Sequence, residues 1–175
     1  EGVHNRGDFD LTQHQQFSNK KLEYYDQLNN KRYVPYVIET SVGADRVTLA
    51  ALVNAYREES VEGEDEGRVV LGLHPSIAPI KAAILPLVKK DGMPELAREI
   101  VKTFLAAGVN AKYDEQHAIG KRYARHDEIG TPYCPTVDTQ TLTDDTVTIR
   151  HRDDRRQERI KVQEAVDVVQ RALKA

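Results

Sequence analysis

The sequence predicts an α/β protein, and three observations carry that expectation. From Arg68 onward, apolar runs of strand length alternate with segments of helical period. Between residues 33 and 56, a strand, a glycine break and a helix follow one another. Between these two regions lies residues 60–67, Ser-Val-Glu-Gly-Glu-Asp-Glu-Gly, acidic, glycine-punctuated and with nothing to bury, which marks a domain boundary. Strands alternating with helices and closing on a hairpin give a three-layer unit of about a hundred residues, a size at which one core forms.

Taken in order, residues 1–14 are polar and turn-rich, with Phe9 and Leu11 as apolar anchors. Residues 18–25 read as a short amphipathic turn or helix, and the paired Asn29 and Asn30 mark a loop. Tyr36, Val37 and Ile38 favour a pleated strand, Gly43 breaks it, and apolar residues from Val47 recur at helical spacing to near Glu59. Beyond the acidic stretch, residues 68–73 suit a buried strand. Ile80, Ala83, Ile84, Leu87 and Val88 place a helix over 77–89, kinked or ended by Pro86. Leu96, Ile100, Val101, Phe104 and Leu105 place another over 94–107, with Pro94 in its first turn and Gly108 as its stop. A strand at 109–113 and a helix at 119–126 follow. Strands at 133–142 and 146–152 flank Thr143-Asp144-Asp145 as a hairpin turn. Residues 157–162 are ambiguous, and a helix over 162–173 closes the chain.

The bulk numbers set limits on function. Of 175 residues, 30% are charged and 39% hydrophobic, with no tryptophan, which describes a soluble globular protein. No apolar run is long enough to span a bilayer. The net charge of −3 excludes wholesale binding to a phosphate backbone, so any nucleic-acid contact is a local patch. Cys134 is the only cysteine, which rules out an intrachain disulfide and favours a reducing, cytoplasmic setting; between Tyr133 and Pro135 it reads as a buried thiol without an activating base. Asp8 and Asp10, His4 and His14 lack compact ligand spacing, so no metal site is expected. The absence of an initiating methionine suggests that a longer protein continues upstream.

The chemistry concentrates at Val37-Ile38-Glu39-Thr40-Ser41-Val42-Gly43-Ala44-Asp45-Arg46. Glu39 and Ser41, two apart, share one strand face, and Arg46 follows in the first helical turn, where the helix dipole also favours an anion. A carboxylate for an ammonium, a hydroxyl to orient it and a guanidinium fork for phosphate suggest amino acid plus nucleotide. A plain strand-to-helix corner with a Glu39–Arg46 ion pair is the structural alternative. This stretch resembles the third signature motif of class II aminoacyl-tRNA synthetases, the glycine-specific version being the closest, with Thr40 where that family usually has proline. Gly2, Arg6, Asp8, Phe9, Asp10 and Leu11 are similar, in register, to the segment preceding that motif, and the family's catalytic acidic residue aligns upstream of Glu1.

The resemblance implies that Glu39, Ser41 and Gly43 bind glycine in a pocket too small for a side chain. It implies that Gly43, Asp45 and Arg46 line ATP, with Arg46 as the catalytic cation and Mg2+ sharing the phosphate charge. Residues 68–175 resemble the anticodon-binding domain of the glycine, histidine, threonine and proline enzymes, through Leu73-His74-Pro75, Ala78-Pro79-Ile80-Lys81, residues 120–130, Thr131-Pro132-Tyr133 and residues 147–153. The implied organisation is the end of an antiparallel-sheet catalytic domain at 1–60, a linker at 61–67 and an anticodon-binding domain at 68–175 with a mixed sheet flanked by helices. The implied function is ATP-dependent attachment of glycine to its tRNA by a cytoplasmic homodimer, this chain alone being inactive because the first and second class II motifs are absent from it. Lys121, Arg122 and Arg125 beside Tyr123 on one helix, and Arg150 and Arg152 on one strand face, are the candidate tRNA contacts. Pairing of these cations with Asp127, Glu128, Asp153 and Asp154 is the structural alternative. A non-catalytic tRNA-binding or polymerase-accessory protein on the same fold is the functional alternative, and a small-molecule-binding α/β domain a third.

Overall fold

The computed structural model describes residues 1–60 and 67–174; residues 61–66 of the acidic stretch lie outside the described residues. The chain divides into two compact units, Glu1–Ala50 and Ala51–Ala175.

In the first unit, β1 (Gly2–Gly7) leads into α1 (Phe9–Ser18), a hairpin of β2 (Tyr24–Asp26) and β3 (Lys31–Tyr33), then β4 (Val37–Ser41) and α2 (Ala44–Ala55), within which the boundary falls. β1 and β4 pair antiparallel, placing His4 opposite Glu39 and Gly2 opposite Ser41. The expected strand, glycine break and helix are present. The helical turn expected at 18–25 is not: α1 stops at Ser18, where Asn19 turns left-handed at φ 55° and returns its N–H to Gln15 O. Tyr24–Asp26 is instead extended and pairs with Lys31–Tyr33. Among the described residues, none of 1–50 is buried.

α2 ends at Ala55 rather than near Glu59. The second unit's β5 (Tyr56–Glu59) takes over because each of its residues pairs antiparallel with β6 (Arg68–Leu71), and that ladder outweighs the helix preference of Arg57, Glu58 and Glu59. Then follow β7 (Ala82–Pro86), α3 (Met93–Ala106), β8 (Ala111–Tyr113), α4 (Ile119–Glu128), β9 (Tyr133–Val137), α5 (Thr141–Asp144), β10 (Thr146–His151), β11 (Gln157–Lys161) and α6 (Val162–Ala172). Five strands form a mixed sheet in the order β11-β10-β9-β7-β8, with β7 parallel to both β8 and β9.

The helix expected over 77–89 is the largest correction. Residues 82–86 are the centre of the sheet, every one of them buried. Ala82 and Ile84 face the main core with α3 and α6, while Ala83 and Leu85 face Ile119, Tyr123 and Cys134 on the α4 side. A strand covered on both faces shows no polar alternation, so its apolar run matches a helical template equally well. The strand expected at 133–142 stops at Val137, because Asp138 Oδ1 accepts the Thr141 N–H at 3.1 Å and starts the one-turn α5. Helices on both faces make the three layers, with Phe104, Ile149, Val166 and Val169 filling the larger core. Each such side chain contributes about 1.5–3 kcal/mol.

Candidate functional site

In the first unit, strand register builds one polar face. Gly2, His4, Glu39 and Ser41 lie on the same side of the β1–β4 pair, and a Cβ at Gly2 would meet His4 Nε2 at 2.5 Å and Ser41 Oγ at 3.3 Å. A Cβ at position 2 would therefore require the exposed His4 ring to move aside. His4 carries no signal in the sequence, since only the cross-strand register brings it to Glu39. An open cleft of about 570 Å³ adjoins this face, lined by Gly2, Ser41, Gly43, Arg46, Val47 and Ala50. The Glu39–Arg46 ion pair does not form: Glu39 Oε2 lies 3.7 Å from Arg6 Nε instead. Arg6 is anchored by a two-pronged pair to Asp10, at 2.9 and 3.0 Å, which holds the Asp10 carboxyl below its ordinary range. Among the described residues Arg46 has no carboxylate partner, so its guanidinium is available to an anion. Asp45, in the first turn of α2, does not line the cleft.

In the second unit the alternation along β10 is as expected, with Val147 and Ile149 in the core and Arg150 on the opposite face. That opposite face is covered by α4. Arg150 donates through both terminal nitrogens to Asp127, at 2.9 Å each, and its guanidinium lies 4.8 Å from the Tyr123 ring centroid. Burial pulls the Arg150 pKa down, and Asp127 more than restores it, leaving it above the ordinary value. Asp127 also accepts from Arg68 Nε at 2.9 Å, and Arg68 reaches Glu59 Oε2 at 2.8 Å. Arg152 donates to Asp153 and to Gly130 O, and Arg122 to Pro86 O and Leu87 O at the end of the central strand. Arg122, Arg150 and Arg152 are thus all buried and partnered within the chain. The reason is topological: α4 crosses the sheet, so a strand face that reads as solvated from sequence is an interior face.

Lys121 remains exposed on α4, and Arg125 is half-exposed while pairing with Asp114. Two cations outside the sequence-based candidates join them. Arg155, in the β10–β11 turn at φ 57°, lines a cleft of about 550 Å³ with Gly120, Tyr123, Glu128 and Gln157. Arg159 on β11 bonds Thr146 Oγ1 and Asp138. For Arg155, a turn rich in aspartate and arginine is the signal that could have found it.

Beneath this face, His126 is buried, with Nδ1 3.1 Å from Thr131 Oγ1 and Nε2 3.3 Å from Asp114 Oδ2 without the alignment of a hydrogen bond. Burial lowers its pKa, Asp114 opposes that, and Arg125 and Lys112 add to it. With the folded pKa below the unfolded one, the unfolded chain binds the proton first. Stability is therefore complete above about pH 6.5 and falls as pH drops toward the folded pKa. Urea midpoints measured from pH 7.5 to 5.5 are expected to decline, and His126→Leu to flatten that decline. Cys134 is 1% exposed with its thiol pushed up to about 12 by burial, which leaves it no role as a nucleophile. Among the described residues, no group of three or more His, Cys, Asp or Glu side chains is arranged to hold a metal, and no helix is long and apolar enough to cross a membrane.

A five-stranded mixed sheet with helices on both faces defines the class as an α/β domain. A solved structure of that class, prolyl-tRNA synthetase from Cryptosporidium parvum, superposes with a TM-score of 0.54 over 59% of this chain and 22% of that one, at 22% identity. Residues 81–172 match the family model described as anticodon binding domain, and the chain belongs to that family. It is similar along nearly its whole length to curated glycine–tRNA ligases: 52% identical to that of Chlorobaculum tepidum over 95% of this chain, and 53% to that of Borrelia hermsii over 97%. The chain spans 35% and 38% of the length of those two relatives.

Proposed function

We propose that this chain supplies the carboxyl-terminal part of a glycine–tRNA ligase, contributing one side of the glycine and ATP site together with the anticodon-binding domain. The observation that carries the reading is collinearity. Identity above 50% to glycine–tRNA ligases runs through both units in order, and so spans the stretch holding Glu39, Ser41 and Arg46 as well as the α/β domain. In this reading Glu39 receives the glycine ammonium and Ser41 orients it, with Gly2 and His4 beside them on the same face. Gly43 and Arg46 attend ATP at the start of α2, with the Arg46 guanidinium as the phosphate or adenine contact, while Asp45 lies outside the cleft and takes no direct part. The cleft lined by Ser41, Gly43 and Arg46 supports the nucleotide part of this reading; the described residues offer no cluster for Mg2+, and no step is assigned to it.

Apolar side chains of the first unit, among them Ile38 at 60%, Val47 at 50% and Leu49 at 62% exposed, support its being part of a larger catalytic domain. Homodimerisation and a cytoplasmic setting belong to the whole ligase in this reading. In the second unit, Lys121, Arg125, Arg155 and Arg159 make the direct tRNA contacts, while Arg122, Arg150 and Arg152 hold the face in shape.

The test is affinity for glycine tRNA against the same tRNA with a changed anticodon, at two salt concentrations. Weaker binding of the changed tRNA is the expected result. Equal binding that salt abolishes would reduce the contact to phosphate attraction and remove the anticodon assignment. By itself the chain is expected to give no glycine-dependent ATP–pyrophosphate exchange, and measurable exchange would show that the first unit needs no further catalytic residues.

A further inference from the structure

We propose that His126 and Arg125 compete for one oxygen of Asp114, and that a proton on His126 moves this oxygen from Arg125 to the buried ring, releasing the Arg125 guanidinium to solvent. The exchange belongs to the α/β unit and does not depend on the ligase reading.

Asp114 follows the end of β8, and α4 carries Arg125 and His126 side by side. Asp114 Oδ2 accepts from Arg125 Nη2 and lies 3.3 Å from His126 Nε2. Oδ1 is already committed, accepting the Gln116 N–H at 3.0 Å, so the carboxylate is not free to offer each cation an oxygen of its own. His126 Nδ1 stands 3.1 Å from Thr131 Oγ1, while Nε2 is buried with no hydrogen-bond partner among the described residues. A small turn of the ring aligns a protonated Nε2 with Oδ2.

Exposure decides which cation yields. The side chains are 2% exposed at His126, 10% at Asp114 and 36% at Arg125. A buried imidazolium without a counter-ion is strongly disfavoured, whereas a guanidinium near the surface is hydrated when it lets go. Arg125 also keeps a second acceptor, Gln116 O at 3.2 Å. The other groups around His126 leave Asp114 as its one negative partner among the described residues. Lys112 on β8 and Arg125 itself add positive charge. Asp127, next along α4, is taken by Arg150 and by Arg68 from β6. Arg122 is bound to Pro86 O and Leu87 O, and the α4 side of β7 and β9 presents Ala83, Leu85 and Cys134.

Burial pushes the Asp114 carboxyl up, but the Gln116 N–H and Arg125 more than offset it and hold it below its ordinary range, so it stays ionised while His126 titrates. At pH 7.5 His126 is neutral and Arg125 is paired. Because burial lowers the His126 pKa, the exchange sets in only as pH falls below about 6.5. It places an unpaired cation one helical turn beyond Lys121 on α4.

The test follows both residues by NMR on the whole chain between pH 7.5 and 4. His126 is read through its carbon-bound ring protons, and Arg125 through its Nη hydrogens, which a paired guanidinium keeps inequivalent. The Arg125 signals are expected to average at the midpoint at which His126 titrates. In Asp114→Asn they are expected to be averaged at every pH. Arg125→Gln is expected to raise the His126 midpoint by about one pH unit. Arg125 signals that stay inequivalent through the His126 titration would mean that both cations share the carboxylate, and would overturn the proposal. Averaging that persists in His126→Gln would mean that Asp114 itself takes the proton, and would overturn it as well. So would a His126 midpoint unmoved in Arg125→Gln, or a His126 that stays neutral down to pH 4.

Discussion

Replacing Asp127 with alanine is expected to destabilise the α/β unit by about 3–5 kcal/mol, read as a fall in the urea midpoint. Asp127 is 1% exposed and answers two guanidinium groups, Arg150 through both oxygens and Arg68 through one. Arg150 is itself 6% exposed. Removing the carboxylate leaves Arg150 buried with only the Tyr123 ring for company, and that cost exceeds the net worth of the intact pair. The conservative Asp127→Asn keeps the shape and loses the charge, so it is expected to lie between the two. A cost below about 1 kcal/mol for the alanine variant would mean that water reaches the site and the network is a surface one.

Gly130→Val is expected to cost about 3 kcal/mol, for two separable reasons. Gly130 adopts φ +83°, where a branched side chain is strained, and a Cβ there would stand 3.0 Å from Leu71 O and 3.2 Å from Leu73 Cδ1. Gly108 has a similar φ of +76° with nothing near its absent Cβ. Comparing Gly130→Ala with Gly108→Ala therefore isolates the close approach of the α4 end to β6. Equal losses at both positions would show that strain accounts for everything and that β6 can give way.

Elements are legible in the sequence where local signals and packing agree. The helix at Met93–Ala106 can be read because Ile100 and Phe104 repeat at helical spacing and face one core, with Pro94 and Gly108 at its ends. Ala82–Pro86 cannot, since a strand packed on both faces has no period of its own, and only its neighbours β8 and β9 reveal it. The Glu39, Ser41 and Arg46 constellation is visible because it sits on consecutive elements. The cross-strand addition of His4, and the partner Arg6 in place of Arg46, depend on register that sequence spacing does not encode. For the arginines of the second unit, residue type is visible and surroundings are not. Arg150 falls on the strand face that the alternation predicts, whereas Arg152 lies just past the end of β10, and what covers Arg150 is decided by α4, some twenty residues away in the chain.

The antiparallel ladder between β5 and β6 also governs how the α/β module can be excised. A version beginning at Arg68 would discard Tyr56–Glu59, leaving β6 with an unpaired edge open to neighbouring molecules. It would also strip Glu59 from Arg68 and Arg57 from Asp153. A version beginning at Ala51 keeps all of these and adds Ala55, which packs with Leu73 and Ala78. As a transplantable part, the anticodon-binding module begins well before its first sheet strand, with the hairpin arm that seals its flank.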